Sequence, residues 1–221
     1  VTGNTHFSLG LAAGATTVAV NGSAGDVAAI VATVAVASLG SLLPDIDEEG
    51  SMLNNLLFRA IKNRSAALSI LGAITIILAF LKNLDLWVLL AGVYAMAVAF
   101  IPHRTFTHSI LSLSIITWIT YMAEPEYALA MAAGYISHLL ADMVTVMGVP
   151  LLWPWKKKIG LKQFFGIKVK SGDHVDKMTG KISMYIGCIG LVWLLFQDIA
   201  LDMVVSQAEN HWNSLIHLFA L

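Results

Sequence analysis

The sequence predicts an all-α, polytopic transmembrane bundle of about six to seven helices. Three observations predict it. Hydrophobic residues make up 57% of the 221 and charged residues 12%, with a mean hydropathy of +0.77, whereas a soluble domain carries about 25% charged residues. The apolar residues fall into seven long runs that lack the polar stripe of a solvent-facing helix, which argues against a soluble bundle. The basic residues gather in alternate connecting loops.

In chain order, the runs cover 7–20, 27–43, 66–81, 86–101, 109–123, 127–147 and 182–205. Several fall short of the ~20 residues that cross a bilayer comfortably. The first is the weakest span and reads equally as re-entrant or packed against its neighbours. No basic residue precedes it, so it reads as part of the mature fold and not as a signal peptide. With no internal repeat and no low-complexity linker, residues 1–221 read as a single integral-membrane domain. The one cysteine, Cys188, lies inside an apolar run and excludes an intrachain disulfide.

If all seven runs cross, the loops 44–65, 102–108 and 148–181 share a side with the N-terminus. That side holds Arg59, Lys62, Arg64, Arg104, Lys156, Lys157, Lys158, Lys162, Lys168, Lys170, Lys177 and Lys181, leaving only Lys82 opposite. Such a bias marks the cytoplasmic face, and an odd number of spans puts the C-terminus outside. A net charge of −1 gives no bulk attraction to nucleic acid, so none is expected as a partner.

Polar residues interrupt this pattern on one side only. His6 precedes the first run, and Pro44-Asp45-Ile46-Asp47 ends the second, where Pro44 is expected to stop the helix in an extended turn. His103-Arg104-Thr105-Phe106-Thr107-His108-Ser109 joins the fourth run to the fifth, with Thr107 or Ser109 placed to cap the next helix. His138 and Asp142 lie inside the sixth, four residues apart and so on one helix face. A carboxylate within a membrane helix is costly unless paired or coordinated. The pair therefore reads either as metal ligands or as a hydrogen-bonded structural unit, and Asp45 and Asp47 either as cation ligands or as a solvated turn or helix cap. The metal reading takes His6, Asp45, Asp47, His103, His108, His138 and Asp142 as ligands for a divalent ion. Seven exceed the needs of one four-coordinate zinc, so one or two ions fit; zinc is favoured, and nitrogen and oxygen donors also suit manganese or iron. Arg104, whose planar fork matches phosphate, and Asp47 are the catalytic candidates; Thr107, Ser137 and Asp176 are possible supporting residues. The alternative for Arg104 is a topological anchor.

Residues 148–181 form a basic, Trp-rich interfacial segment. Pro150-Leu151-Leu152-Trp153-Pro154-Trp155 is followed by lysines and by Phe164 and Phe165, and the alternation through 159–169 suggests a short hairpin. It reads as a substrate-docking lid or as an anchor resting on the membrane. His174 and Asp176 follow closely. His211 and His217 fall on the opposite side and read as unrelated to the site.

These stretches together resemble the YdjM-like family of bacterial inner-membrane, metal-dependent hydrolases. The resemblance runs in order through Thr5-His6, Leu42-Leu43-Pro44-Asp45-Ile46-Asp47, His103 to Ser109, Gly134 to Asp142 and Gly148-Val149-Pro150-Leu151-Leu152-Trp153-Pro154, covering roughly Thr5 to Lys181. The family usually has glycine where Thr105 stands and glutamate where Asp176 stands. The resemblance implies a membrane protein with a metal-type motif and supplies no substrate. A looser, fold-level analogy connects it to all-helical zinc phospholipases C, which also set His-x-x-x-Asp or His-x-x-x-Glu pairs on helices.

The resulting expectation is a multi-pass inner-membrane hydrolase with its metal site at the cytoplasmic face. It would act on a phosphoester, with a lipid substrate favoured and membrane lipids, including anionic ones, as partners. The alternatives are a metal or ion transporter and a structural protein with a metal staple. A transport pathway should leave polar residues through its whole depth, and the far half of the sixth run has none that ionise.

Overall fold

The computed structural model describes residues 1–22, 26–58, 63–155, 157–162, 166 and 169–219, and side chains throughout these except at 198, 199, 201, 210, 211 and 213–219. Arg59, Lys62, Lys156, Phe164, Phe165 and Lys168 lie outside the described residues, as do the side chains of His211 and His217. Eight α-helices are described: α1 (Gly3–Asn21), α2 (Val27–Leu42), α3 (Met52–Phe58), α4 (Arg64–Leu81), α5 (Leu86–Phe100), α6 (Ile110–Ala123), α7 (Ala128–Val144) and α8 (His174–Phe219).

Local chemistry sets the helix ends. Gly22 closes α1 in the left-handed conformation at φ 68°, which costs a residue without Cβ nothing. The Asp26 carboxylate caps α2 by accepting from the amides of Ala28 and Ala29, at 2.9 and 3.1 Å. Asn63 caps α4 through Ala66, and Ser109, of the two residues predicted, caps α6 through Ser112.

Four segments are long and apolar enough to cross a membrane: Val27–Asp47, Arg64–Leu81, Pro125–Val144 and His174–Gln197. α5 and α6 are shorter apolar helices. Among the described residues, four of the seven runs thus meet this measure of length and composition, two more form the shorter apolar helices α5 and α6, and α1 is not among the four. Asn4, Thr5, His6, Ser8, Thr16 and Thr17 dilute its apolar character, and it packs against α2, α7 and α8 together. Apolar side chains such as Ile74, Ile77, Phe100 and Trp118 are exposed on the outer helices, as a surface that faces lipid requires.

Glycines let the central helices approach closely. A Cβ at Gly134 of α7 would collide with the Ala37 carbonyl of α2, and one at Gly10 of α1 would lie 2.8 Å from Ser38 Cα. Small residues bring membrane helices together in this way. One turn beyond the Gly134–Ala37 contact, the same two helices carry His138 and Ser41.

Two expectations are corrected here. Pro44 does not begin an extended turn: it enters a 3-10 turn, Leu43–Asp47, because its fixed φ and missing N–H suit the first turn of a helix. The interfacial pairing joins Val149 to Ile159, with amide–carbonyl bonds of 2.9 and 2.8 Å, while Val169 bridges in parallel to Thr145. No pairing within 159–169 is present among the described residues. This segment folds back on the bundle: Trp153 packs edge-on against Phe106, and the Leu151 carbonyl accepts from the Ile110 amide that opens α6. Trp155 remains 71% exposed, free to sit at a water boundary.

Candidate metal centre

Four ends of the fold meet at one place: the first turn of α1, the 3-10 turn after α2, the loop between α5 and α6, and the last two turns of α7. They bring His6, Asp45, His108, His138 and Asp142 into a single buried cluster. Nε2 of His108 lies 3.4 Å from Asp45, 3.5 Å from Asp142 and 3.3 Å from Nε2 of His138. Nε2 of His6 lies 3.4 Å from Asp142, and Nε2 of His138 lies 3.6 Å from Asp45. The His6 and His138 rings stack at 3.7 Å.

Each ring is aimed from behind. Nδ1–H of His138 donates to the Ser41 carbonyl at 2.7 Å. Thr107 donates its only hydroxyl proton to Asp47 at 3.0 Å, so Nδ1–H of His108, 3.1 Å from the same oxygen, donates to Thr107. Both histidines thus present Nε2 to the cluster, the usual arrangement behind a metal ligand. Below them, Tyr94, Ser112 and Tyr135 hydrogen-bond in a chain at 2.8 Å per step, and Tyr135 donates on to the Thr107 carbonyl.

Asp45 and Asp47 diverge because residues two apart on a turn of three residues point in different directions. Asp45 enters the cluster, whereas Asp47 uses both oxygens outside it, accepting from Nδ1–H of His103 at 2.6 Å and from Thr107. His103 stands at the mouth, with Nε2 3.4 Å from Glu48. Asp45, Glu48 and His103 form a further group of donors there.

Arg104 reaches inward, its Nη2 3.2 Å from Asp142. Its backbone lies in the left-handed region at φ 56°, a conformation costing roughly 1–3 kcal/mol for a residue with a side chain. The ion pair and the bonds of His103 and Thr107 on either side hold it there. Arg104, Asp45 and Glu48 also line a cleft of about 600 Å³ that opens beside the cluster.

Of the supporting candidates, Thr107 joins Asp47 to His108. Ser137 returns its hydroxyl to the Gly134 carbonyl of its own helix, away from the cluster. Asp176 accepts from the amides of Thr2 and Gly172, at 2.9 and 2.6 Å, and so ties the start of α1 to α8. His174 is exposed. Glu48 and the tyrosine–serine chain escaped the sequence reading. Glu48 stood beside Asp47 in plain view, whereas a hydroxyl chain leaves no local pattern.

The donor set fits a divalent ion. His6 Nε2, Asp45 Oδ1, Asp142 Oδ2 and His103 Nε2 are buried atoms that make no hydrogen bond and meet their nearest partners only in ion-pair contacts of 3.2–3.4 Å, and buried polar atoms so held are costly unless something satisfies them. Ligands bonded at 2.0–2.1 Å around a tetrahedral ion stand about 3.3 Å apart, close to the spacings above. Burial works to lower the His108 pKa, but the Asp142 and Asp45 carboxylates beside its Nε2 overcome it and raise the value to about 9.

The fold and site define a class, an all-α membrane protein with buried His/Asp clusters at one end of its bundle. The sequence profile described as "YdjM inner membrane protein" matches residues 1–208, and the chain belongs to that family of the bacterial inner membrane. It is 42% identical over 66 residues to Inner membrane protein YdjM of Escherichia coli (strain K12), covering 27% of this chain and 34% of that protein, with the same figures for the Shigella flexneri protein. Uncharacterized protein YvsG of Bacillus subtilis (strain 168) is 43% identical over 79 residues, covering 35% of this chain and 47% of that protein. The chain spans about a third of the length of the first two relatives. No solved structure matches it significantly.

Proposed function

We propose that this protein is a membrane-bound, metal-dependent hydrolase acting on a phosphoester, with a lipid substrate favoured and its site open to the cytoplasmic face. The observation that carries the metal dependence is the two buried donor groups, His6–Asp45–His138 and His108–His138–Asp142, each with its donor atoms close enough together to hold an ion. The donors are His6, Asp45, His108, His138 and Asp142, without thiolate, which favours zinc and also suits manganese or iron. The mouth group of Asp45, Glu48 and His103 would hold a second ion. A divalent ion held by these residues would supply Lewis acidity, the property that activates water and polarises a phosphoryl oxygen.

The chain's own groups do the rest. Arg104 is the catalytic residue: its fork lines the cleft and meets a phosphoryl group bidentately, steadying the charge that develops as the phosphorus–oxygen bond breaks. Asp47 is a positioning residue, fixing His103 directly and His108 through Thr107. The positive-inside bias supports the cytoplasmic orientation.

The test measures metal content and headgroup or phosphate release on one preparation, across a panel of phosphoesters. Arg104→Lys keeps the charge but loses the fork, so turnover should fall roughly 10²-fold, as when one oxyanion donor is lost, with metal content unchanged. Unchanged turnover would remove Arg104 from the mechanism. Metal-loaded protein inert on every phosphoester would sink the hydrolase reading.

A further inference from the structure

A second cavity, of about 510 Å³, runs along the outside of the bundle. Phe7 and Leu11 of α1 form its floor, α2 from Val27 to Leu42 one wall, and Leu191 and Leu195 of α8 the other. Its lining is apolar apart from Ser38, and it does not stop short of the site: Leu42 and Leu53 line both this groove and the polar cleft that contains Arg104 and Asp45. The two therefore adjoin at Leu42 and Leu53, the groove greasy along the bundle and the cleft polar at the candidate metal centre.

The length and the polar end choose the occupant. The 16 residues of α2 along the groove extend about 24 Å at 1.5 Å per residue, beyond the ~15 Å depth of one leaflet's hydrocarbon. An extended acyl chain suits a groove of that length, and the polar cleft that adjoins it at Leu42 and Leu53 gives a charged headgroup its place. A helix of a second copy would leave that cleft unused.

We infer that this groove holds one acyl chain of a phosphate-bearing lipid whose headgroup lies in the cleft at Arg104. The headgroup chemistry rests on the phosphoester reading of the site; the chain's place rests on the groove alone. Lys170 lines a smaller cavity of about 240 Å³ that also reaches Arg104, adding positive charge beside the headgroup. A water-soluble phosphoester would leave the whole apolar arm unused.

The experiment uses the full chain in phosphatidylcholine vesicles doped with phosphatidic acid carrying a photoreactive diazirine in one acyl chain. Diacylglycerol with the same label is the control. Phosphatidic acid should label α2 between Val31 and Leu42 and α8 near Leu191. Arg104→Gln should reduce that labelling about fivefold, the worth of roughly 1 kcal/mol of charge-assisted contact, and leave diacylglycerol labelling unchanged. Ala35→Trp, which fills the groove from an exposed position on α2, should abolish labelling at Leu191 while metal content is retained. Should that variant not fold, Val31→Trp, at a position 62% exposed, blocks the same arm. Equal labelling by both probes, indifferent to Arg104→Gln, would make the groove ordinary lipid-facing surface and overturn the inference. So would crosslinks between two protein copies through position 35 in place of lipid labelling. Labelling as expected without headgroup release would instead overturn the hydrolase reading and leave the groove assignment standing.

Discussion

The inner cluster and the mouth meet on the same two loops, where Asp45 lies near Glu48 and His108 near His103, yet they sit in different media. His6, His108, His138 and Asp142 are fully buried, while the side chains of His103 and Glu48 are 25% and 46% exposed. Inside, two rings are pinned through Nδ1 by a backbone carbonyl and a threonine hydroxyl, and their Nε2 atoms converge on carboxylates. At the mouth, a carboxylate pins the ring, and Nε2 faces a half-exposed glutamate. Charges are strongly coupled where water is excluded and weakly where it is not. The inner donors should therefore bind an ion tightly and exchange it slowly, and the mouth should bind loosely and respond to solvent.

The largest effect tests the inner cluster. Replacing His138 and Asp142 together by Ala removes two donors and leaves the others as unpaired buried polar groups. Tightly bound metal should be lost and the melting temperature lowered; full metal occupancy in the double variant would refute the site. An intermediate effect separates the two regions. Asp47→Asn keeps the shape but loses the charge behind His103, so affinity at the mouth should fall about 10–100-fold, as losses of supporting partners do elsewhere. The tightly held ion should stay, and metal titration followed by calorimetry reads both. Equal loss at both positions would show that the regions are one unit.

The smallest effect concerns protons. The His108 pKa is raised to about 9, above its value of ~6.5 in an unfolded chain. The proton's contribution to the metal-free fold is complete below about pH 6.5 and is lost as pH rises through about 9. An ion taking Nε2 of His108 must displace that proton. Apparent affinity should then rise about tenfold per unit from pH 6.5 to 8 and level off near 9. Buffered competition with a chelator checks the slope; a flat profile would mean that His108 keeps its proton and lies outside the ligand set.

The sequence made the convergence of residues legible but not their layering. His6, Asp45, His103, Arg104, His108, His138 and Asp142 all sit at interruptions in apolar runs, and the alternation of helices places such interruptions at one end. The division between Asp45 and Asp47 was hidden because it depends on a 3-10 turn that Pro44 was expected to prevent. Ser41 acts through its carbonyl, which no side-chain pattern betrays. The start of α8 at His174 was missed because its polar first turns, through Lys181, do not belong to the apolar run. The pairing of Val149 with Ile159 spans the turn around Trp153-Pro154, a stretch that carries no strand alternation.

The makeup of α1 bears on when the centre can exist. This helix supplies His6 but is too polar to count among the candidate spans, and it lies against α2, α7 and α8. During synthesis it emerges before any of those partners, and its tie to Asp176 cannot form until α8 has been made. The buried donor cluster joins His6 to His138 and Asp142 of α7, so a nascent chain has no complete cluster until α7 has been made. Any choice among ions would then fall to the assembled bundle, where the burial of the cluster can enforce it.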